Sequence, residues 1–393
     1  MPAAIRQTAR GPGLNPPPDD RRQRVPELDG IRGLAILLVL VWHYFAMLVH
    51  PERGTWLWSA KVAAGLGWSG VDLFFVLSGF LLGGILLENR DSPTCFKTFY
   101  ARRACRILPV YYLLVLGFAV ANGLIQGTRN SGFVHLFDNP MPLWSYFTFT
   151  QNFAMLSGSD FGAPALSVTW SLAIEEQFYL FLPLLIRFVP RGPLPGVLIL
   201  LIIAAPICRG LFWSEEKPGF AGLVLMPARA DALLLGVLAA VTMRDPGFAA
   251  AFARRRVVVG WALVGLFGGM VALAIYGGML PPVVAHVAGH SWIAVFFTML
   301  IVWVTSSSSG ALGALMRFPA LRALGIVSYA VYLFHVPVLG AVFALARGQS
   351  PALLRAGDVP LVLVALIVTI GLAALSWHVL EKPLLRLGHR LKY

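Results

Sequence analysis

Ten predominantly apolar runs, each about 17 to 24 residues long, constrain this chain most, because a helix of that length crosses a hydrocarbon core of roughly 30 Å. They fall at about 32–50, 67–87, 108–125, 172–189, 196–213, 223–243, 257–277, 290–307, 323–346 and 359–380. Barrel strands would be about half as long and would alternate polar with apolar residues. The residues are 58% hydrophobic and 12% charged, and a soluble domain carries roughly twice that charged share. The expected fold is therefore all-α, a polytopic transmembrane bundle of about ten spans. The run at 290–307 is the weakest, because Ser306 to Ser309 could be loop. The short aromatic stretch 143–157 reads as interfacial or re-entrant.

The formal charge of +13 does not indicate a nucleic-acid partner, since the basic residues form short blocks between apolar runs instead of one domain. Arg90, Lys97, Arg102, Arg103 and Arg106 follow the second run, Arg187 and Arg191 the fourth, and Arg244 and Arg254 to Arg256 the sixth. Arg317 and Arg322 follow the eighth, and Lys382, Arg386, Arg390 and Lys392 the tenth. By the positive-inside rule these blocks share the cytoplasmic side with both termini, as in a multi-pass protein of the cell inner (plasma) membrane. Residues 1–27, with Pro16 to Pro18, Arg21, Arg22 and Arg24, are expected to be a disordered cytoplasmic leader without a signal-peptide core. The transmembrane domain is expected over 28–385 and a short cytoplasmic tail over 386–393. The basic and aromatic stretch Pro93 to Leu108 fits a helix lying in the cytoplasmic interface, and the almost uncharged segment 126–171 faces the exterior. Cys95, Cys105 and Cys208 stand too far apart for a metal-type cysteine motif and read as ordinary thiols, so no metal is expected.

Several polar residues exceed what an anchor needs. Arg32 and His43 are eleven positions apart, roughly 16 Å along a helix and about 20° from a common face. An arginine at the membrane edge can hold a phosphate through its planar fork of donors, and a neutral histidine in a buried cleft can take a proton from a nucleophile. A snorkelling arginine and a packing histidine satisfy the same spacing. Glu175 and Glu176 open the fourth run, and adjacent carboxylates point about 100° apart on a helix. At most one of them can aim into a cleft, and both could be interfacial. Asp72, Arg229 and Asp231 lie near the exterior ends of runs, where Arg229 and Asp231 could simply pair with other groups. His335 sits inside the ninth run beside Pro337, where a kink could open a polar pocket or the ring could serve structure alone.

Taken together, these segments resemble the acyltransferase-3 family of integral membrane acyltransferases. The resemblance rests on LDGIRGLAILLVLVWHY around Arg32 and His43, VDLFFVLSGFLL (Val71 to Leu82) and FYARRACRILPVYY (Phe99 to Tyr112). It continues through Trp170, Ser171, Leu172 and Glu175, then RADALLLG (Arg229 to Gly236), GIVSYAVYLFHVPV (Gly325 to Val338) and HVLEKP (His378 to Pro383). These blocks cover about residues 26–385, in the family's order.

The resemblance implies transfer of an acyl group, acetyl first among candidates, from acyl-CoA to a hydroxyl of a carbohydrate-containing acceptor. Acyl-CoA is then a donor substrate and no tightly bound cofactor is implied; the further partners are a glycan, glycolipid or glycosylated small molecule and the membrane lipids. Under this reading His43 and Glu175 are catalytic, and Arg32, Arg103 and Arg106 hold the phosphates of the donor. Asp72, Trp170, Ser171, Arg229, Asp231 and His335 support the site or bind the acceptor. Some relatives append an exported hydrolase-like domain; the chain ends at Tyr393, so none is expected here. A multispan transporter or flippase of a sugar-linked or lipid-linked substrate is the alternative, since it too places ionisable groups inside a bundle. Acceptor identity, acyl length and oligomeric state are not legible in the sequence.

Overall fold

A computed structural model describes residues 25–125, 132–306 and 310–393. The expected leader up to residue 24 and the loop residues Ser307 to Ser309 lie outside these. The described elements run α1 (Pro26–Val41), α2 (Trp56–Gly65), α3 (Gly70–Glu88), α4 (Cys95–Ile125), α5 (Leu143–Phe147), α6 (Gln151–Gly158), α7 (Trp170–Phe188), α8 (Leu194–Leu211) and α9 (Phe220–Val224). They continue with α10 (Met226–Thr242), α11 (Pro246–Arg254), α12 (Arg256–Tyr276), α13 (Pro282–Ser306), α14 (Ala311–Met316), α15 (Pro319–Ile326), α16 (Ser328–Arg347), α17 (Val359–Ser376) and α18 (Lys382–His389). No strand occurs among the described residues. Pro26, Pro227, Pro246 and Pro319 lie in the first positions of their helices, where the missing N–H would have had no intrahelical partner. Gly348, at φ +65°, ends α16 in the left-handed conformation that glycine adopts without strain.

The chain is an all-α transmembrane bundle, and each of the ten expected runs coincides with a helix. Among the described residues eight segments are long and apolar enough to cross a membrane, or nine if α10 and α11, bent by 91°, count as one broken span. The count falls short of ten for physical reasons. Helix α10 alone has 17 residues, and α7 carries Glu175, Glu176 and Arg187 within its 19 residues. The second span is longer than expected, because α2 runs through a tight turn at Leu66–Ser69 into α3. The basic stretch expected to lie separately in the interface is instead the first part of α4, which is continuous over 31 residues. Pro109 inside α4 removes one backbone donor without breaking it, because α16 and α18 pack along its length. The aromatic stretch 143–157 forms the short helices α5 and α6, too short to span. Helix α1 begins at Pro26, just inside the segment expected to be leader.

Close approach of backbones holds the centre of the bundle. A Cβ on Gly79 of α3 would collide with the Leu233 carbonyl of α10, and one on Gly236 of α10 with the Val76 carbonyl of α3. Small residues allow this contact, which is how helices associate where lipid removes the hydrophobic drive. Ion pairs then join the basic connections to one another. Asp91 meets Arg191 at 2.9 Å, Glu27 meets Arg317 at 2.8 Å, and Glu88 pairs with Arg244. The blocks that charge patterning assigns to one side thus lie beside the ends of α1, α3, α7 and α10.

Candidate active site

Helices α1, α3, α4, α7 and α16 enclose a cavity of about 200 Å³. Its charge comes from α1 and α4. Arg103 and Arg106, three residues apart, share one face of α4 and line the cavity together with Arg32. Arg32 donates to Asp29 at 3.0 Å, whereas Arg103 and Arg106 form no hydrogen bond or ion pair with another described residue. Arg102 turns the other way: it donates to the Leu391 carbonyl at 2.6 Å and its guanidinium sits over the Tyr393 ring.

Helix α7 supplies the facing wall. Ser171, Glu175 and Tyr179 recur every four residues, so they form one stripe, and all three line the cavity. Glu176, about 100° round the helix, does not line it. Glu175 is therefore the carboxylate aimed at the cavity. Its Oε2 accepts from Tyr179 Oη at 3.0 Å, and Tyr179 Oη in turn lies 2.5 Å from Ser78 Oγ of α3.

At the Ser171 level the wall is closed by Tyr332 of α16. Ser171 Oγ and Tyr332 Oη are 2.6 Å apart, and Tyr332 Oη also lies 2.9 Å from the Val168 carbonyl. Beyond Tyr332 stand two histidines. The His335 ring lies 5.7 Å from that of Tyr332 and 4.7 Å from that of His43. His335 Nδ1 is 2.7 Å from the Tyr332 carbonyl and His43 Nδ1 is 3.0 Å from the Val39 carbonyl. A carbonyl only accepts, so in both rings Nδ1 carries the proton and Nε2 presents its lone pair. The Nε2 of His335 is buried with no hydrogen-bond partner among the described residues. His43 lies on a π-helical turn, Trp42–Ala46, that ends the first span; such turns often mark functional positions. Tyr44, on the same turn, donates to the His335 carbonyl at 2.9 Å and clamps the two helices together.

Of the residues expected at the site, the structure brings Arg32, Arg103, Arg106, Ser171 and Glu175 into one cavity. His43 and His335 pair with each other outside its lining, one residue removed through Tyr332. Trp170 is also outside, with its ring against Phe75 and Phe161. Asp72, Arg229 and Asp231 belong to a separate buried network. Arg229 pairs with Asp72 at 2.7 Å, and Arg209 grips Asp231 with contacts of 3.1 and 2.8 Å. Ser291 donates to Asp231 at 2.7 Å, and His290 Nδ1 is 3.9 Å from Asp72. This network ties α3, α8, α10 and α13 together and touches the cavity through Phe75, whose ring lies under Arg229. Sequence reasoning passed over Arg209, Ser291 and His290, as it did Tyr179 and Tyr332. A lone arginine inside an otherwise uncharged run was the available signal for Arg209; nothing local distinguishes Tyr332 from other apolar-face aromatics. Among the described residues no group of three or more His, Cys, Asp or Glu side chains is placed to hold a metal ion.

Comparison with known proteins shows the family. Residues 25–378 match the acyltransferase-3 family, described as an acyltransferase domain. Over 382 residues the chain is 29% identical to YrhL of Bacillus subtilis and 26% identical to the O-acetyltransferase OatA of Staphylococcus aureus. Over 385 residues it is 26% identical to the peptidoglycan O-acetyltransferase OatA of Listeria monocytogenes. Each alignment covers 93% of this chain and 56%, 58% and 57% of the respective relative. The chain thus spans a little over half the length of these proteins. No solved structure matches it significantly. With a match across nearly its whole length and a bundle of membrane-crossing helices around a polar cavity, the chain belongs to the acyltransferase-3 family of integral membrane acyltransferases.

Proposed function

We propose that the protein transfers an acetyl group from acetyl-CoA, entering from the cytoplasm, to a hydroxyl of a carbohydrate-containing acceptor. The observation that carries this reading is the cavity itself, which has three arginines on one wall and the Glu175, Tyr179 and Ser171 stripe on another. Two of those arginines, Arg103 and Arg106, make no hydrogen bond or close ion pair with a described residue and feel Glu175 only through space, which leaves their guanidinium donors available to an anion. A cavity of about 200 Å³ is smaller than the roughly 300–1,000 Å³ that encloses a drug-sized ligand. It suits a slender acylated thiol arm whose nucleotide end stays outside with its phosphates on Arg32, Arg103 and Arg106. The names of the Staphylococcus and Listeria relatives, O-acetyltransferase and peptidoglycan O-acetyltransferase, support acetyl as the group and a cell-surface glycan as the acceptor.

His43 is the general base in this reading. Its free Nε2 takes the proton of the acceptor hydroxyl as that oxygen attacks the thioester carbonyl. A C–O bond forms, the C–S bond breaks, and the proton passes to the departing thiolate. A variant of the same chemistry has the imidazole carry the acetyl group before passing it on. Glu175, hydrogen-bonded to Tyr179, orients the donor or the acceptor inside the cavity. The test uses purified protein in lipid nanodiscs with acetyl-CoA and candidate glycans, following CoA release and ester formation by mass spectrometry. Ester formation that depends on His43 and consumes one acetyl-CoA per ester supports the proposal. Movement of a glycan across the bilayer with no acetyl-CoA consumed would replace it with transport.

A further inference from the structure

The cavity that receives the donor and the histidine pair are not one open space. Tyr332 lines the cavity and its ring meets that of His335, which meets that of His43; His43 itself does not line the cavity. Tyr332 is held in this intermediate place by hydrogen bonds of 2.6 Å to Ser171 and 2.9 Å to the Val168 carbonyl. The Phe74 ring packs against it edge-on at 6.2 Å from the cavity side. We propose, resting on the acetyl-transfer reading above, that Tyr332 is a positioning residue, a partition latched by Ser171 that keeps the thioester from the imidazoles until an acceptor is seated.

The chemical reason is water. A thioester beside a base with a free lone pair is open to any small nucleophile. Water would attack the carbonyl as His43 took its proton, the C–S bond would break, and free acetate and CoA would leave with no ester made. A membrane enzyme whose donor and acceptor arrive from different directions has to suppress that loss. The phenol is suited to the task, since its ring blocks the path while its hydroxyl, donating to the Val168 carbonyl and hydrogen-bonded to Ser171 Oγ, ties the ring to neighbouring helical segments. Both hydrogen bonds lie on the Tyr332 hydroxyl, so removing one oxygen frees the ring and keeps its shape.

The decisive measurement is hydrolysis of acetyl-CoA alone, with no acceptor, by the purified full chain in nanodiscs. Tyr332→Phe is expected to raise acceptor-independent CoA release roughly tenfold, the order expected for losing two such hydrogen bonds. Ser171→Ala should raise it in the same direction and by less. His43→Ala in the Tyr332→Phe background should return release to the wild-type level, a result that loosened packing alone would not give. Unchanged hydrolysis in a folded Tyr332→Phe variant overturns the partition, and if that variant does not fold, unchanged hydrolysis in Ser171→Ala overturns it instead. An increase that survives His43→Ala also overturns it. If the wild-type protein neither binds nor consumes acetyl-CoA, the acetyl-transfer reading falls; the partition fails alone if transfer to an acceptor persists while hydrolysis stays flat.

Discussion

The carboxylate of Asp72 and the guanidinium of Arg229, 157 positions apart in the chain, lie 2.7 Å from one another with 1% of each side chain exposed. Burial on this scale makes the pair a lock between α3 and α10, because either charge alone would be stranded in a low-dielectric interior. Asp72→Ala is expected to cost about 3–5 kcal/mol, the usual penalty for orphaning one member of a buried pair. Asp72→Leu combined with Arg229→Met should recover most of that loss. Thermal unfolding in detergent checks both; equal destabilisation by the single and the double substitution would show that the pair does not act as a unit.

The α3 and α10 contact also depends on having no side chain at Gly79 and Gly236. Gly236→Val drives a branched side chain into the Val76 carbonyl and forces the helices apart, with an expected cost of about 1–3 kcal/mol. Gly117, where an added Cβ meets nothing within 4 Å, is the control, and Gly117→Ala should leave the melting temperature unchanged or slightly higher.

Arg103→Ala and Arg106→Ala should each weaken CoA binding by roughly 10- to 100-fold, since a charge-assisted contact contributes about 1.5–3 kcal/mol. Binding of pantetheine, which carries no phosphate, should not change. Calorimetric titration with both ligands separates the outcomes. A loss of pantetheine affinity equal to the loss for CoA would mean that these arginines shape the cavity without contacting phosphate.

Glu175→Gln keeps the size of the side chain and removes its charge, and transfer should fall by roughly 10- to 100-fold, the loss expected when one charge-assisted contact that orients a substrate is removed. Tyr179→Phe, which removes only the hydroxyl that donates to Glu175, should cost less. The adjacent Glu176→Gln should have little effect, because that side chain does not line the cavity. Comparable losses at 175 and 176 would place the chemistry elsewhere.

Orientation is open to direct labelling. With the three native cysteines replaced, a cysteine at Arg191 should react with a membrane-impermeant maleimide only after cells are permeabilised, and one at Ser159 should react in intact cells. The reverse pattern would invert the bundle and move the arginine wall to the exterior.

How far the sequence could be read follows from the range of each signal. Hydropathy is local, and it located every long helix, although it split the helix at Cys95–Ile125 in two because basic residues mask the continuity of its first turns. Spacing along one helix is also local. It gave the eleven-residue step from Arg32 to His43 and the rule that Glu175 and Glu176 cannot share a target. Spacing could not say which of the two carboxylates meets the cavity, since that depends on how α7 is rotated against α3 and α16.

The amino-acid sequence by itself determined that the chain is a helical membrane bundle with its basic residues in short blocks between the apolar runs, and it singled out Arg32, Arg103, Arg106 and Glu175 as candidates for the site. Each of these follows from periodicity, charge or a motif contained within a few helical turns. Only the tertiary structure decided that Asp72, Arg229 and Asp231 form a lock with Arg209, and that Ser171 and Tyr332 join in the cavity wall while His43 and His335 pair outside its lining. Those relationships join side chains as many as 292 positions apart, counting from His43 to His335. They are set by the close packing of whole helices, which no single segment encodes.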